Sequence, residues 1–224
     1  MKTLGVVLAG GVGSRFHGEK PKQLMMLGEK PVLCHSVDIL AAAPEIDEVL
    51  VISHIDYVPS IQQLLDGHPI AVLAGGDTRS ASSEVALAYA NEHGFDRILL
   101  HDAARPLIDS DLVSRLCAAL DQADAAIAAL PATDTISVSV DGETIDHTPP
   151  RETLWSIQTP QAFSVSVLTK AYALFDADPA AVATDDGGVV RRYLPEVPVK
   201  LVLGSRRAMK LTYPEDLAIL ETLI

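Results

Sequence analysis

Apolar positions along this chain fall into two kinds of run. Short β-rich runs occupy Leu4 to Leu8, Glu48 to Ile52, Ile70 to Leu73, Arg97 to Leu100 and Ala125 to Leu130. Between them lie segments with helical spacing: Pro31 to Ala43, with Leu33, Val37 and Leu40 on one face, then Tyr57 to Leu65, Ser80 to Glu92 and Asp109 to Leu120. Runs apolar on successive residues predict strands covered on both faces. Their alternation with helices over short links predicts a mostly parallel, doubly wound α/β sheet. Further on, Val165 to Phe175 and Asp185 to Tyr193 predict helices and Val197 to Leu203 a strand. Thr212-Tyr213-Pro214-Glu215 has capping-box spacing at the head of a last helix, with proline in the first turn.

Pro131 to Pro160 breaks this alternation. It predicts a β-ribbon, Thr135 to Val140 and Thr144 to Thr148, turning at Asp141-Gly142. Such an insertion is a surface hairpin or an arm that pairs with another subunit, and the pattern alone leaves both open. The expectation is one domain, residues 1–224, with an arm at about 131–160.

Composition narrows the partners. A 224-residue chain with 48% hydrophobic and 21% charged residues has enough apolar surface for one substantial core, which excludes wholesale disorder. With 17 basic against 30 acidic residues the net charge is −13. Nucleic-acid binding and attachment to an anionic membrane both call for the opposite balance, so neither partner is expected. Cys34 and Cys117 stand apart without CxxC spacing, which predicts free thiols and suits the cytoplasm. No signal-peptide pattern and no run of about 18 apolar residues is present, so a soluble protein is expected.

Sheets of this class bind ligands beyond the carboxyl ends of their strands. The first strand runs into Leu8-Ala9-Gly10-Gly11-Val12-Gly13-Ser14-Arg15. Glycines let a backbone turn tightly and turn N–H groups toward phosphates. The loop has neither the GxGxxG register of a dinucleotide fold nor the Gly-Lys-Ser/Thr end of a P-loop. Arg15 and then Lys20-Pro21-Lys22-Gln23 follow it. A glycine loop feeding such cations can cradle a triphosphate and neutralise charge in its transition state.

Ala9-Gly10-Gly11-Val12-Gly13-Ser14-Arg15 with Pro21-Lys22-Gln23 resembles the signature of nucleotidyltransferases that activate sugar and polyol phosphates. His101-Asp102-Ala103-Ala104-Arg105-Pro106 narrows the resemblance to the 2-C-methyl-D-erythritol 4-phosphate cytidylyltransferases, with a Rossmann-like nucleotidyltransferase fold. Gly75-Gly76-Asp77-Thr78-Arg79, Asp134-Thr135, Arg151, Leu154-Trp155, Gln158-Thr159-Pro160-Gln161, Thr184-Asp185-Asp186 and Lys210-Leu211-Thr212 support it in family order over nearly the whole chain. The resemblance implies transfer of CMP from CTP to a polyol phosphate, with release of pyrophosphate. It implies Arg15, Lys22 and Lys210 as catalytic cations. It implies Leu8, Ala9, Gly10, Gly11, Gly13, Gly76, Asp77, Arg79, Ser82, Asp102 and Ala103 as nucleotide contacts, with Asp102 also a Mg²⁺ ligand. Arg105, Thr135, Arg151, Thr159 and Thr184 become polyol-phosphate contacts. Arg151 and Thr159, placed around the arm, would reach a neighbouring subunit's site in a homodimer. His101, behind Asp102, reads as structural.

Some positions depart from the family's pattern. The loop begins Ala9-Gly10-Gly11 rather than Ala-Ala-Gly, Phe16 replaces a common Met, and Ala208-Met209-Lys210 replaces Asn-Ile-Lys. These put the alcohol in doubt more than the nucleotide chemistry. Ribitol-5-phosphate cytidylyltransferases are the near alternative, and a non-catalytic nucleotide-binding protein the distant one. Against the acidic whole, Arg15, Lys22, Arg79, Arg105, Arg151 and Lys210 are expected to ring a single cleft.

Overall fold

The computed structural model describes residues 1–11 and 21–224. Strand β1 (Thr3–Ala9) is flanked by β4 (Glu48–Ser53) and β6 (Arg97–Asp102), both parallel to it. Outside β4 lies β5 (Ala71–Ala74), also parallel. On the other side β6 pairs antiparallel with β8 (Trp155–Ser164), which pairs antiparallel with β7 (Ala125–Pro131). A parallel β9 (Val199–Leu203) closes that edge. Among the described residues the sheet order is therefore β5-β4-β1-β6-β8-β7-β9, with β8 alone reversed. A two-stranded ribbon, β2 (Met26–Leu27) with β3 (Lys30–Pro31), stands apart.

Successive side chains of a strand point to opposite faces. Along β1, Leu4, Val6 and Leu8 join the core on one face and Val7 and Ala9 the core on the other. The second of these faces is covered by α1 (Val32–Ala42), α2 (Val58–Leu64) and α4 (Ser110–Ala119), through Leu33, Val37, Leu40, Ile61, Leu112 and Leu116. The first is covered by α3 (Arg79–Glu92), α5 (Val165–Asp176) and α6 (Asp186–Tyr193), through Ala86, Leu87, Leu168, Tyr172 and Val190. The expected doubly wound architecture is present.

Three expectations need correction. Trp155 to Pro160, read as part of the arm, belongs to the sheet, where β8 is inserted between β6 and β7. The ribbon itself carries one antiparallel bridge, Val138 to His147, around a turn whose Gly142 has φ 75°. The last helix, α7 (Glu215–Glu221), has no side-chain cap from Thr212. Instead Asp216 reaches back and accepts from the Thr212 and Tyr213 N–H groups at 2.7 and 2.8 Å. Cys34 and Cys117 are free thiols, the first half-buried and the second buried.

Candidate active site

The carboxyl ends of β1, β4, β5 and β6 open on one cleft of about 390 Å³. Its walls are the end of β1 and the turn after it (Leu8 to Gly11), His54 after β4, Gly76 to Thr78 between β5 and α3 with Arg79 and Ser82 in the first turn of α3, and the end of β6 with the residues after it (Asp102 to Ala104). Lys22, Gln23 and Lys210 complete it. Every nucleotide-contact residue expected from the sequence lies here, except Gly13, which falls outside the described residues. Arg15 and Lys20 also fall outside them.

The floor is closely packed. A Cβ on Gly75 would sit 2.6 Å from Ser82 Oγ and 2.8 Å from Ile52 Cγ2, and one on Gly76 would meet Ala81 Cβ. Only glycine permits this approach, which brings the β5 turn against the first turn of α3. Thr78 caps that helix by accepting from the Ala81 N–H at 3.0 Å, and Ser82 Oγ donates to Thr78 O at 3.0 Å.

The charged centre is Asp102. Lys210 Nζ donates to its Oδ2 at 2.7 Å, and Arg79 Nε to its Oδ1 at 3.1 Å. Burial alone would raise the carboxyl pKa, but Arg79 and then Lys210 outweigh it and hold the group far below the usual carboxylate range. Arg79 donates through Nη1 to Asp186 at 2.7 Å, while its Nη2 is buried with no hydrogen-bond partner among the described residues. Burial works against that guanidinium's charge, and the Asp186 and Asp102 carboxylates more than restore it. Lys22 Nζ donates to Leu211 O at 2.7 Å, and Gln23 Nε2 to Ala9 O at 2.6 Å. Leu211 N donates in turn to Ala104 O, so the segment bearing Lys210 is tied to the end of β6.

Behind Asp102 lies a buried relay. His101 Nε2 donates to Arg105 O at 3.0 Å, which leaves Nδ1 to accept from the Thr159 hydroxyl at 3.0 Å. Thr159 Oγ1 accepts from the Asp102 N–H at 3.1 Å. This directional assignment follows because a carbonyl can only accept. Burial lowers the His101 pKa to about 4, so the ring is neutral. His101 is structural, as its position suggested.

Not all expected contacts converge. Thr159 is buried on β8 with its hydroxyl engaged by His101 and Asp102, so it lies neither on the arm nor in the cleft. Arg105 ties β8 to the segment after β9, donating to Ala208 O at 2.8 Å and Ile157 O at 3.4 Å. It is outside the cleft lining, as are Thr135, Arg151 and Thr184, all three of which are exposed. Arg151 donates to Thr133 O at 3.3 Å within the arm. Of the five expected cleft cations among the described residues, Lys22, Arg79 and Lys210 line it and Arg105 and Arg151 do not, Arg15 lying outside those residues. Position 208, where the family's asparagine gives way to Ala208, is fully buried in the core.

His54 and Gln23 were not assigned roles from the sequence. The signal for His54 is positional: it comes directly after β4, at the same edge of the sheet where Asp102 ends β6. Gln23 follows Lys22 directly, in the motif already marked.

Asp102 supplies a hard, ionised oxygen of the kind Mg²⁺ takes together with phosphate oxygens. No group of three or more His, Cys, Asp or Glu residues able to hold a metal occurs among the described residues. A Mg²⁺ ion at Asp102 would therefore draw most of its ligands from a bound nucleotide and water. No helix among the described residues is long and apolar enough to cross a membrane.

The family profile described as "IspD: 2-C-methyl-D-erythritol 4-phosphate cytidylyltransferase" matches residues 3–224. A protein of that name from Thermobifida fusca is 41% identical over 97% of this chain and 91% of its own length. A bifunctional ribulose 5-phosphate reductase/CDP-ribitol pyrophosphorylase from Haemophilus influenzae is 36% identical over 99% of this chain, which spans 48% of that protein. The crystal structure of 4-diphosphocytidyl-2C-methyl-D-erythritol synthase from Anaerococcus prevotii superposes with a TM-score of 0.87 at 27% identity, covering 99% of this chain and 97% of that one. Family match, fold and cleft agree, and the chain belongs to the IspD family of 2-C-methyl-D-erythritol 4-phosphate cytidylyltransferases.

Proposed function

We propose that this chain transfers CMP from CTP to 2-C-methyl-D-erythritol 4-phosphate, giving CDP-methylerythritol and pyrophosphate. The observation that carries the reading is the Lys210–Asp102–Arg79 array, which shares a glycine-walled cleft at the sheet's carboxyl edge with Lys22. Phosphoryl and nucleotidyl transfers need positioning and charge neutralisation more than covalent help. A substrate phosphate oxygen bonds to the α-phosphorus in line, and the bond to the bridging oxygen breaks as pyrophosphate departs. The nucleophile is already an anion, so no general base is required.

In this reading the β1 turn, Leu8 to Gly11 with Gly13, wraps the nucleotide, while Gly76, Asp77 and Ser82 read the base. Lys22, with Arg15, neutralises charge on the triphosphate and at the reacting phosphorus. Lys210 is steered by Asp102 toward the α-phosphate or the incoming phosphate. The Ala103 backbone, which donates to Leu8 O at 3.0 Å, fixes the floor. Mg²⁺ held by Asp102 and phosphate oxygens would add positive charge at the triphosphate. Thr184, on the loop before α6, is kept as a polyol contact.

Arg151 and Thr135 serve the polyol phosphate in the other subunit of a homodimer. What supports this is the apolar row Ile136, Val138 and Val140 on the ribbon, with Ile145 opposite, all exposed and without a partner surface in this chain. A row of that kind marks an interaction surface. Two free thiols fit a cytoplasmic setting.

Pyrophosphate release with CTP, Mg²⁺ and either methylerythritol phosphate or ribitol 5-phosphate tests the reading. Turnover with methylerythritol phosphate at higher kcat/KM supports it. A preference for ribitol 5-phosphate would move the chain to the alternative that the Haemophilus influenzae relative represents. CTP binding without release with any alcohol would leave a non-catalytic binding protein.

A further inference from the structure

Asp186 is fully buried, yet it lies in no part of the machinery assigned so far. It opens α6, on the face of the sheet covered by α3 and α5. One carboxylate oxygen accepts from Arg79 Nη1 at 2.7 Å and the other from the Tyr172 hydroxyl at 2.6 Å. Arg79 stands at the first turn of α3 and spends its Nε on Asp102. Three helices and the end of β6 thus meet through one chain of contacts, Tyr172–Asp186–Arg79–Asp102–Lys210.

An ionised carboxylate taken wholly out of water is costly unless paired and hydrogen-bonded. Here it has a guanidinium and a hydroxyl, which satisfy it. The same pairing restrains the guanidinium. With Nη1 held by Asp186, Nε can meet only one edge of Asp102, and Asp102 keeps its other oxygen for Lys210. Without Asp186, nothing seen here stops Arg79 from swinging to take both oxygens of Asp102 as a bidentate pair, the geometry arginine favours with carboxylates. Lys210 would then lose its partner. The buried Tyr172 hydroxyl prevents Asp186 from rotating, and its own proton is held firmly because burial and the neighbouring carboxylate both raise its pKa.

We propose that Asp186, seated by Tyr172, is a positioning residue of the transfer reaction: it restrains Arg79 so that Asp102 remains shared with Lys210. This rests on the cytidylyltransferase reading above.

A double-mutant cycle tests it, with Asp186→Asn and Tyr172→Phe each made alone and in an Arg79→Gln background. Residues acting through one another give non-additive effects. Asp186→Asn alone should lower kcat/KM about tenfold or more, yet change it by less than about twofold in the Arg79→Gln background. Asp186→Asn should also raise the Tm of Arg79→Gln, because it removes a buried unpaired charge. Independent, multiplicative losses would overturn the proposal, as would an Asp186→Asn enzyme with lowered Tm and unchanged kcat/KM. If Asp186→Asn fails to fold, Tyr172→Phe carries the same test with a smaller, several-fold loss that disappears without Arg79. Running the cycle on CTP affinity as well separates the two readings. A wild type that binds CTP but never releases pyrophosphate defeats the transfer reading. Additive changes in CTP affinity would then defeat the Arg79–Asp186 coupling by themselves.

Discussion

The cleft edge of the sheet and the ribbon beyond β7 are built on opposite principles. At the cleft the charged centre has a scaffold: Asp102 is held from behind by Thr159 and His101 and from the sides by Arg79 and Lys210. The ribbon has one bridge and an exposed apolar row, with Val140 at 89% and Ile145 at 70% exposure. A two-stranded hairpin is marginal by itself in water. The contrast separates residues held by several partners within this chain from residues left exposed on a thinly bonded segment. Arg151 and Thr135 are of the second kind, and both lie outside the cleft lining.

Removing a cleft cation should have the largest effect. Lys22→Ala, or Arg15→Ala, should lower kcat by about 10³-fold, the scale of losing one preorganised charge contact at a reacting centre. The fold should stay intact in Lys22→Ala, since Lys22 is outside the core clusters. Steady-state pyrophosphate release with a circular-dichroism melt checks both halves, and near wild-type turnover would remove these residues from catalysis.

Arg151→Ala should act differently if the ribbon serves another subunit. The KM for the polyol phosphate should rise about 10- to 100-fold, as for losing a charge-assisted hydrogen bond, with CTP affinity little changed. Mixing Arg151→Ala with Lys22→Ala subunits sharpens the comparison. Composite sites predict regained activity, because one site of each mixed dimer has both residues. No recovery on subunit exchange would confine each site to one chain and make the ribbon a surface hairpin.

How much of this could be read from the chain divides along the same line. The strands β1, β4, β5, β6 and β7 were legible because they are covered on both faces and so are apolar throughout. The helices were legible from spacing. β8 was missed because Ser156, Gln158, Thr159 and Gln161 look like loop and Pro160 argues against a central strand. The buried polar groups of this stretch are satisfied by distant partners invisible in local pattern. Gln158 bonds Ser205, Thr159 bonds His101, and Gln161 bonds Asp185 and the Gly187 N–H. The proline is tolerated because the β7–β8 ladder skips from Ile127–Gln161 to Ala129–Ile157, an irregularity that leaves Gln158 to Pro160 unpaired with β7. Asp102, Lys22 and Lys210 were legible from motifs. Arg105 and Thr159 lie outside the cleft lining, because a motif marks which residues matter without showing whether they face the cleft or hold a residue that does.

His101 tests the scaffold directly. Its pKa falls from an ordinary 6.5 to about 4 on burial. The unfolded chain therefore binds more protons than the folded one between those values, and stability drops as pH falls through that window. Between pH 7 and pH 5 the loss should be about 2 kcal/mol. His101→Gln should flatten this part of the pH–stability curve, whatever it does to stability at pH 7. Urea melts at several pH values check the slope, and an unchanged slope would show that His101 titrates alike in the folded and unfolded chain.

The mildest perturbation of the cleft scaffold is Asp216→Ala. Asp216 accepts two backbone N–H groups, from Thr212 and Tyr213, immediately after the segment that presents Lys210 and receives Lys22 at Leu211 O. A lost cap of this type costs about 1 kcal/mol, or ~2–4 °C in Tm for a chain of this size. Leu211 N remains bonded to Ala104 O, so the segment keeps its main anchor. Activity should fall by no more than about fivefold, and through kcat rather than the KM for either substrate. The Asp216→Asn enzyme, which keeps an acceptor oxygen, should recover most of the loss. A fall comparable with Lys22→Ala would mean that the Asp216 turn, not the Leu211–Ala104 bond, holds Lys210 in register with Asp102. The scaffold would then extend to the start of α7.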